Sequence, residues 1–123
     1  MTVKLNDSAY DHAKRLIDEG SFVPDERDAW SEDQLPVEKE NAYLHQHGYQ
    51  EYGRWYLGVD PAQPEETKAR YSFPYGDFRS VHRCGVLAAE TRAGQYRYAD
   101  IEQAAAHLHG MIDALAHAKG ATR

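Results

Sequence analysis

The sequence predicts a mainly α protein, about four helices packed around a minor aromatic β-hairpin, in a single domain spanning residues 1–123. Two C-terminal segments carry that prediction, because apolar residues recur along them at helical spacing. The hairpin comes from residues 49–59, a stretch rich in aromatic residues and poor in helix formers. A chain of 123 residues buries roughly two-thirds of its unfolded surface, enough for one core without staples. Val, Ile, Leu and Phe contribute only 20 residues, a share typical of disorder-prone chains. Nine Tyr, two Trp and 17 Ala offset the shortfall, so the core is expected to be aromatic and alanine-rich.

The first helix is signalled by Asn6 or Asp7 as its cap, by Ala9, Ala13, Leu16 and Ile17 at helical spacing, and by Gly20 at its stop. Residues 21–35 form an acidic loop pinned to the core by Phe22, Val23 and Trp30. Pro36 opens a short second helix carrying Ala42, Tyr43 and Leu44 before Gly48, with His45 and His47 favourably placed at its negative end. Residues 49–59 read as a strand, Arg70 to Phe73 as a second, and the two pair across a loop at 60–67. Phe73 to Gly76 is a turn, and Asp77 is a suitable cap for a helix over 78–93. The last helix, 101–119, begins at Asp100 and ends at Gly120. Its stripe of Ile101, Ala104, Ala105, Leu108, Met111, Ile112, Leu115 and Ala118 is core. Gly85 and Ala89, one turn apart, leave room for a second helix to approach, with Ala104 and Ala105 facing them.

Charge is uneven along the chain. Residues 1–67 hold 15 of the 20 acidic side chains, whereas residues 68–97 hold six basic and two acidic ones. The basic stretch either binds an external anion or docks on the acidic half of its own chain, and the second is favoured in a small domain. A single cysteine, Cys84, permits no internal disulfide and no paired-cysteine metal motif, which fits a reducing cytoplasm. No apolar run approaches a membrane span, and residues 1–7 lack the apolar core of a signal peptide.

The segment Thr67-Lys68-Ala69-Arg70-Tyr71-Ser72-Phe73-Pro74-Tyr75-Gly76-Asp77-Phe78-Arg79-Ser80-Val81-His82-Arg83, with Gly53 to Asp60 upstream and Ala89 to Gln95 downstream, resembles a family of small uncharacterised soluble prokaryotic proteins. Similar wording occurs in proteins of phages and mobile elements. The resemblance runs through most of the chain and departs from the family at Val37, where a Ser would cap the second helix. It implies one folded unit and brings no activity, cofactor or catalytic residue.

Seven histidines invite a metal hypothesis, which spacing disfavours. Residues two apart on a helix are rotated by about 200 degrees, which separates His107 from His109 and likewise His82 from Cys84. His109, Asp113 and His117 share one face, but it is the polar face and reads as a solvated row. No metal and no cofactor are therefore expected. The acidic side chains Asp25, Glu26, Asp28, Glu32 and Asp33 read as a solvated loop. No nucleophile elbow, dinucleotide fingerprint or P-loop is present.

Projecting 78–93 on a helix leaves one conflict. His82 falls near the centre of the apolar face and Arg92 at its edge, and burying either group is costly unless it finds partners. The favoured account is structural, with Arg92 paired to a carboxylate of the acidic half and His82 bonded to a carbonyl of the aromatic loop. The sharper account is a pocket of His82, Arg92, Tyr75 and Asp77, closed by Tyr71 and Trp55, toward which Arg79 and Arg83 steer an anion. The leading function is a small non-enzymatic binding or interaction module for an anionic ligand or a protein partner, with self-association left open. A nucleic-acid accessory protein using Lys68, Arg70, Arg79, Arg83, Arg92 and Arg97 with Tyr96 and Tyr98 ranks behind it, because the chain is acidic overall. A small enzyme with His82 as base and Arg92 as clamp ranks behind both.

Overall fold

A computed structural model describes residues 3–26, 29–30 and 36–121, with side chains as far as His117. The elements are β1 (Lys4–Leu5), α1 (Asp7–Asp18), β2 (Phe22–Val23), α2 (Val37–Gly53), β3 (Tyr56–Val59), a 3-10 turn (Lys68–Arg70), β4 (Tyr71–Pro74), β5 (Val81–His82), α3 (Arg83–Gln95) and α4 (Ala99–Ala121). The protein is mainly helical with minor strands. In place of one hairpin, the described strands form two small sheets.

The expected hairpin is the centre of the first sheet. β3 pairs antiparallel with β4, Gly58 opposite Ser72 and Val59 opposite Tyr71, and β1 adds antiparallel on the other edge of β3, Lys4 opposite Val59. The second sheet is parallel and joins distant segments, Phe22 opposite Val81 and Val23 opposite His82. The loop after α1 is thereby tied to the residues that precede α3.

Apolar residues four apart explain α1, whose Ala9, Ala13 and Ile17 are buried on one face. Asn6 stands at the cap position without capping. Its Nδ2 donates instead to the carbonyls of Gly53 (2.9 Å) and Tyr56 (3.1 Å), joining the start of α1 to the start of β3. α2 runs beyond the expected stop because Gly48, at φ 83° and ψ 170°, kinks the chain and lets a second helical stretch follow. Residues 49–53 are therefore helical, and the strand begins only at Tyr56. Tertiary contacts account for this override of β propensity. Tyr52 is buried and its hydroxyl donates to Glu40, while the Tyr56 hydroxyl reaches Tyr52 (2.9 Å) and Glu40 (3.1 Å).

The largest boundary correction concerns α3, which starts at Arg83 and not at residue 78. Asp77 Oδ1 accepts the amides of Arg79 (3.0 Å) and Ser80 (2.7 Å), so it closes a turn instead of capping the helix. Phe78 within that turn has φ 66° and stacks on Tyr43 at 4.4 Å. In α4, Ile101, Ala104, Ala105, Leu108 and Ile112 are buried as the stripe requires, whereas Leu115 is exposed. Ala118 and the stop at Gly120 lie outside the described side chains. Gly85 makes its close approach to the carbonyl of Tyr75 and the ring of Trp30, where an added Cβ would stand 2.8 and 3.0 Å away, and not to Ala104 and Ala105.

His12 on α1 is enclosed with neither ring nitrogen hydrogen-bonded, its ring edge-on to Trp55 at 5.1 Å. Burial, reinforced by Arg54 and Arg15 against the weaker pull of Glu51 and Glu19, holds its pKa below the ordinary 6.5. The unfolded chain then binds a proton more readily than the folded one, so this group withdraws stability as pH falls below about 6.5 and has no effect above it. In melts taken from about pH 8 down to pH 5, His12→Phe is expected to gain on the parent as pH falls. Parallel curves would show that His12 is not the neutral, enclosed group described.

Candidate functional site

Beside the core tyrosines, Trp55 and Cys84, His82 is the one polar side chain buried among the described residues, at 7% exposure. It sits at the end of β5, where pairing to β2 fixes its backbone and its amide donates to the Tyr75 carbonyl at 3.0 Å. Its imidazole lies between two carboxylates. Nδ1 is 2.8 Å from Asp25 Oδ2, and Nε2 is 2.9 Å from Asp77 Oδ2. Burial pushes the imidazole pKa down, but the hydrogen bonds to Asp25 and Asp77 outweigh it and hold the pKa above the ordinary value. Burial likewise pushes Asp77 up, while bonds from His82, Ser80 and Arg79 pull it below the ordinary carboxylate value.

Asp25 is the hub of the cluster. Its Oδ1 accepts the Cys84 amide at 2.8 Å, so the helix is capped from a loop 59 residues upstream. Its Oδ2 accepts the Cys84 thiol at 3.1 Å as well as facing His82. Cys84 is fully buried in the first turn of α3, and Trp30 packs against the imidazole with ring centres 6.0 Å apart. One donor atom from each of Asp25, His82 and Cys84 lies within 4.8 Å of the other two. The rotation argument against His82 and Cys84 fails because His82 is extended and only Cys84 is helical.

The expected pocket is only partly assembled. His82 and Asp77 meet, whereas Tyr75 and Trp55 are buried core, stacked on each other at 5.6 Å. Tyr71 lies elsewhere, beside Arg70 and His47 in an open cleft of about 560 Å³ at the α2 kink. Arg83 is taken by Asp113, Nε to Oδ1 at 2.7 Å, and its Nη1 also reaches the Asp25 carbonyl at 3.4 Å. Arg79 is exposed. Arg92 is exposed too, ten residues beyond His82 or about 15 Å along a helix. The buried pair expected for Arg92 is thus corrected, and the His82 partners are carboxylates in place of a carbonyl. Arg92→Ala is expected to change stability by no more than about 0.5 kcal/mol in a thermal melt, and a loss above about 2 kcal/mol would contradict its exposed position.

The basic stretch docks on the acidic half at Lys68, which contacts Glu40 at 3.7 Å and bonds to Asn41. His109 is not a free member of a solvated row, because its nitrogens face Glu90 (3.2 Å) and Asp113 (3.0 Å). His117 is exposed. Sequence reasoning missed Asp25, indistinguishable there from its acidic neighbours, and set Cys84 aside. Asp28, Glu32 and Asp33 lie outside the described residues. No family model, curated protein or solved structure matches this chain. No helix among the described residues is long and apolar enough to cross a membrane.

Proposed function

We propose that this protein is a small, non-enzymatic binding module whose ligand is held at the cluster of Asp25, His82 and Cys84. The observation that carries this reading is the state of His82: both ring nitrogens are committed to carboxylates, which preorganises donor atoms and leaves no imidazole lone pair poised as a general base. The thiol beside it is fully buried and bonded to Asp25, a poor situation for a nucleophile. An enzyme pairing His82 with Arg92 is disfavoured because nine residues of α3 stand between them and Arg92 is exposed. An anionic ligand at this cluster is disfavoured because Asp25 and Asp77 face it, while Arg83 is neutralised by Asp113. Membership of the family built on Thr67 to Arg83, its phage relatives and a cytoplasmic setting that keeps Cys84 reduced belong to the same proposal.

A thermal-shift panel of inorganic phosphate, nucleotides and divalent cations tests it on the parent and on His82→Gln. At least one ligand is expected to raise the parent melting temperature and to leave the variant unmoved. A panel in which none does so overturns the reading.

A further inference from the structure

We infer that the ligand of this cluster is a divalent transition metal of the zinc class, held by Asp25 Oδ2, His82 Nδ1 and Cys84 Sγ with Asp77 orienting the imidazole from behind. The inference rests on the binding reading above and names its ligand. Its basis is the convergence of three different donor types on one point: a carboxylate oxygen, an imidazole nitrogen and a thiol sulfur, each within 4.8 Å of the other two. Mixed nitrogen, sulfur and oxygen sets suit zinc and its neighbours, whereas magnesium and calcium take oxygen alone.

The surroundings of the three atoms follow the same logic. Nε2 of His82, the nitrogen not facing Asp25, lies 2.9 Å from Asp77 Oδ2. Metal-bound histidines are characteristically oriented by such a carboxylate on the second nitrogen. Asp77 is itself fixed through Oδ1 by the amides of Arg79 and Ser80, so the orienting group does not swing. Asp25 is anchored by the Cys84 amide on Oδ1, which leaves Oδ2 directed at both other donors. Ligand atoms in a tetrahedral zinc site stand about 3.3 to 3.5 Å apart. The 2.8 Å and 3.1 Å contacts at Asp25 Oδ2 therefore open by about half an ångström, and the imidazole and thiol, within 4.8 Å of each other, adjust to the same spacing. An entering ion displaces the thiol proton and the Nδ1 proton to solvent, and a carboxylate with a thiolate balances its two positive charges. Among the described residues three ligands converge, and a tetrahedral ion takes a fourth donor beside them.

Cobalt(II) and zinc(II) titrations of the full chain, purified without an affinity tag and stripped with chelator, decide the matter. One equivalent of cobalt per chain is expected to produce a thiolate-to-metal charge-transfer band, and zinc is expected to bleach it. Cys84→Ser should abolish the band while melting as the chelator-treated parent does. Asp77→Asn should keep the band and weaken affinity by about 10- to 100-fold, the signature of an orienting group. Magnesium and calcium should leave the spectrum unchanged. A missing band, a band that survives Cys84→Ser, or metal lost on His109→Ala but retained in Cys84→Ser overturns the inference. If phosphate or a nucleotide stabilises the parent through His82 while cobalt gives no band, the metal falls and the binding module stands. If no ligand of any kind acts through His82, both fall.

Discussion

Asp25→Ala is expected to cost about 3 to 5 kcal/mol in chelator-treated protein, roughly 10 to 20 °C in melting temperature, because it removes one partner of a buried charged pair and strips a helix cap in the same change. The carboxylate accepts the Cys84 amide and thiol and faces His82 Nδ1, so three contacts in the interior are lost at once. Asp25→Asn retains an acceptor for the amide and should cost less. Glu26→Ala, at the exposed neighbour, should stay within about 0.5 kcal/mol. The Asp25 penalty also has a pH signature. The folded pKa of His82 is raised, so its interaction with Asp25 contributes fully below about 6.5 and is lost as pH rises through the raised folded value. The gap between parent and Asp25→Ala should accordingly narrow in alkaline solution. Asp77 works at the other end, its contribution present above the ordinary 3.8 and lost as pH falls through its lowered folded value. Chemical denaturation of the three variants across pH is the measurement. A loss below about 1 kcal/mol for Asp25→Ala would remove Asp25 as the hub.

Tyr75→Ala is expected to cost a comparable amount, about 3 to 5 kcal/mol, through the cavity left by a fully buried aromatic ring. The ring stacks on Trp55 at 5.6 Å, and its hydroxyl donates to the Arg54 carbonyl at 2.6 Å while lying 3.4 Å from that of Ala9. Tyr75→Phe keeps the ring and leaves the Arg54 carbonyl without its donor, so it should cost about 1 to 3 kcal/mol. A cost below about 1 kcal/mol for Tyr75→Ala would place the ring at a ligand-filled surface instead of the core. The position also affects the site, since the backbone carbonyl of Tyr75 holds the His82 amide and abuts Gly85 at the start of α3.

Elements with a strong period were legible in the sequence. Ala9, Ala13 and Ile17, and Ile101, Ala105, Leu108 and Ile112, recur every three or four residues, and a helix buries such residues together whatever it packs against. The pairing of Tyr56–Val59 with Tyr71–Pro74 was legible from the loop between them. Residues 49–53 were not, because aromatic side chains favour a strand locally and only the contacts of Tyr52 with Glu40 and Tyr56 make the helical alternative better. The start of α3 was misplaced for a related reason. An aspartate before an apolar run looks like a cap, and nothing local distinguishes it from an aspartate closing a turn.

That boundary decided how much of the site could be read. His82 was found as a polar residue in an apolar context, and Asp77 was placed beside it. With residue 82 assigned to a helix, its neighbour Cys84 was turned away. By itself the sequence determined a mainly α chain with an aromatic, alanine-rich core and one costly histidine, because periodicity and composition depend only on near neighbours along the chain. Only the tertiary structure decided that a single carboxylate from an acidic loop caps α3 and joins His82 to Cys84. Asp25 lies 57 and 59 residues from them, and the parallel pairing of Phe22–Val23 with Val81–His82 closes that distance in space with no trace in the residues between.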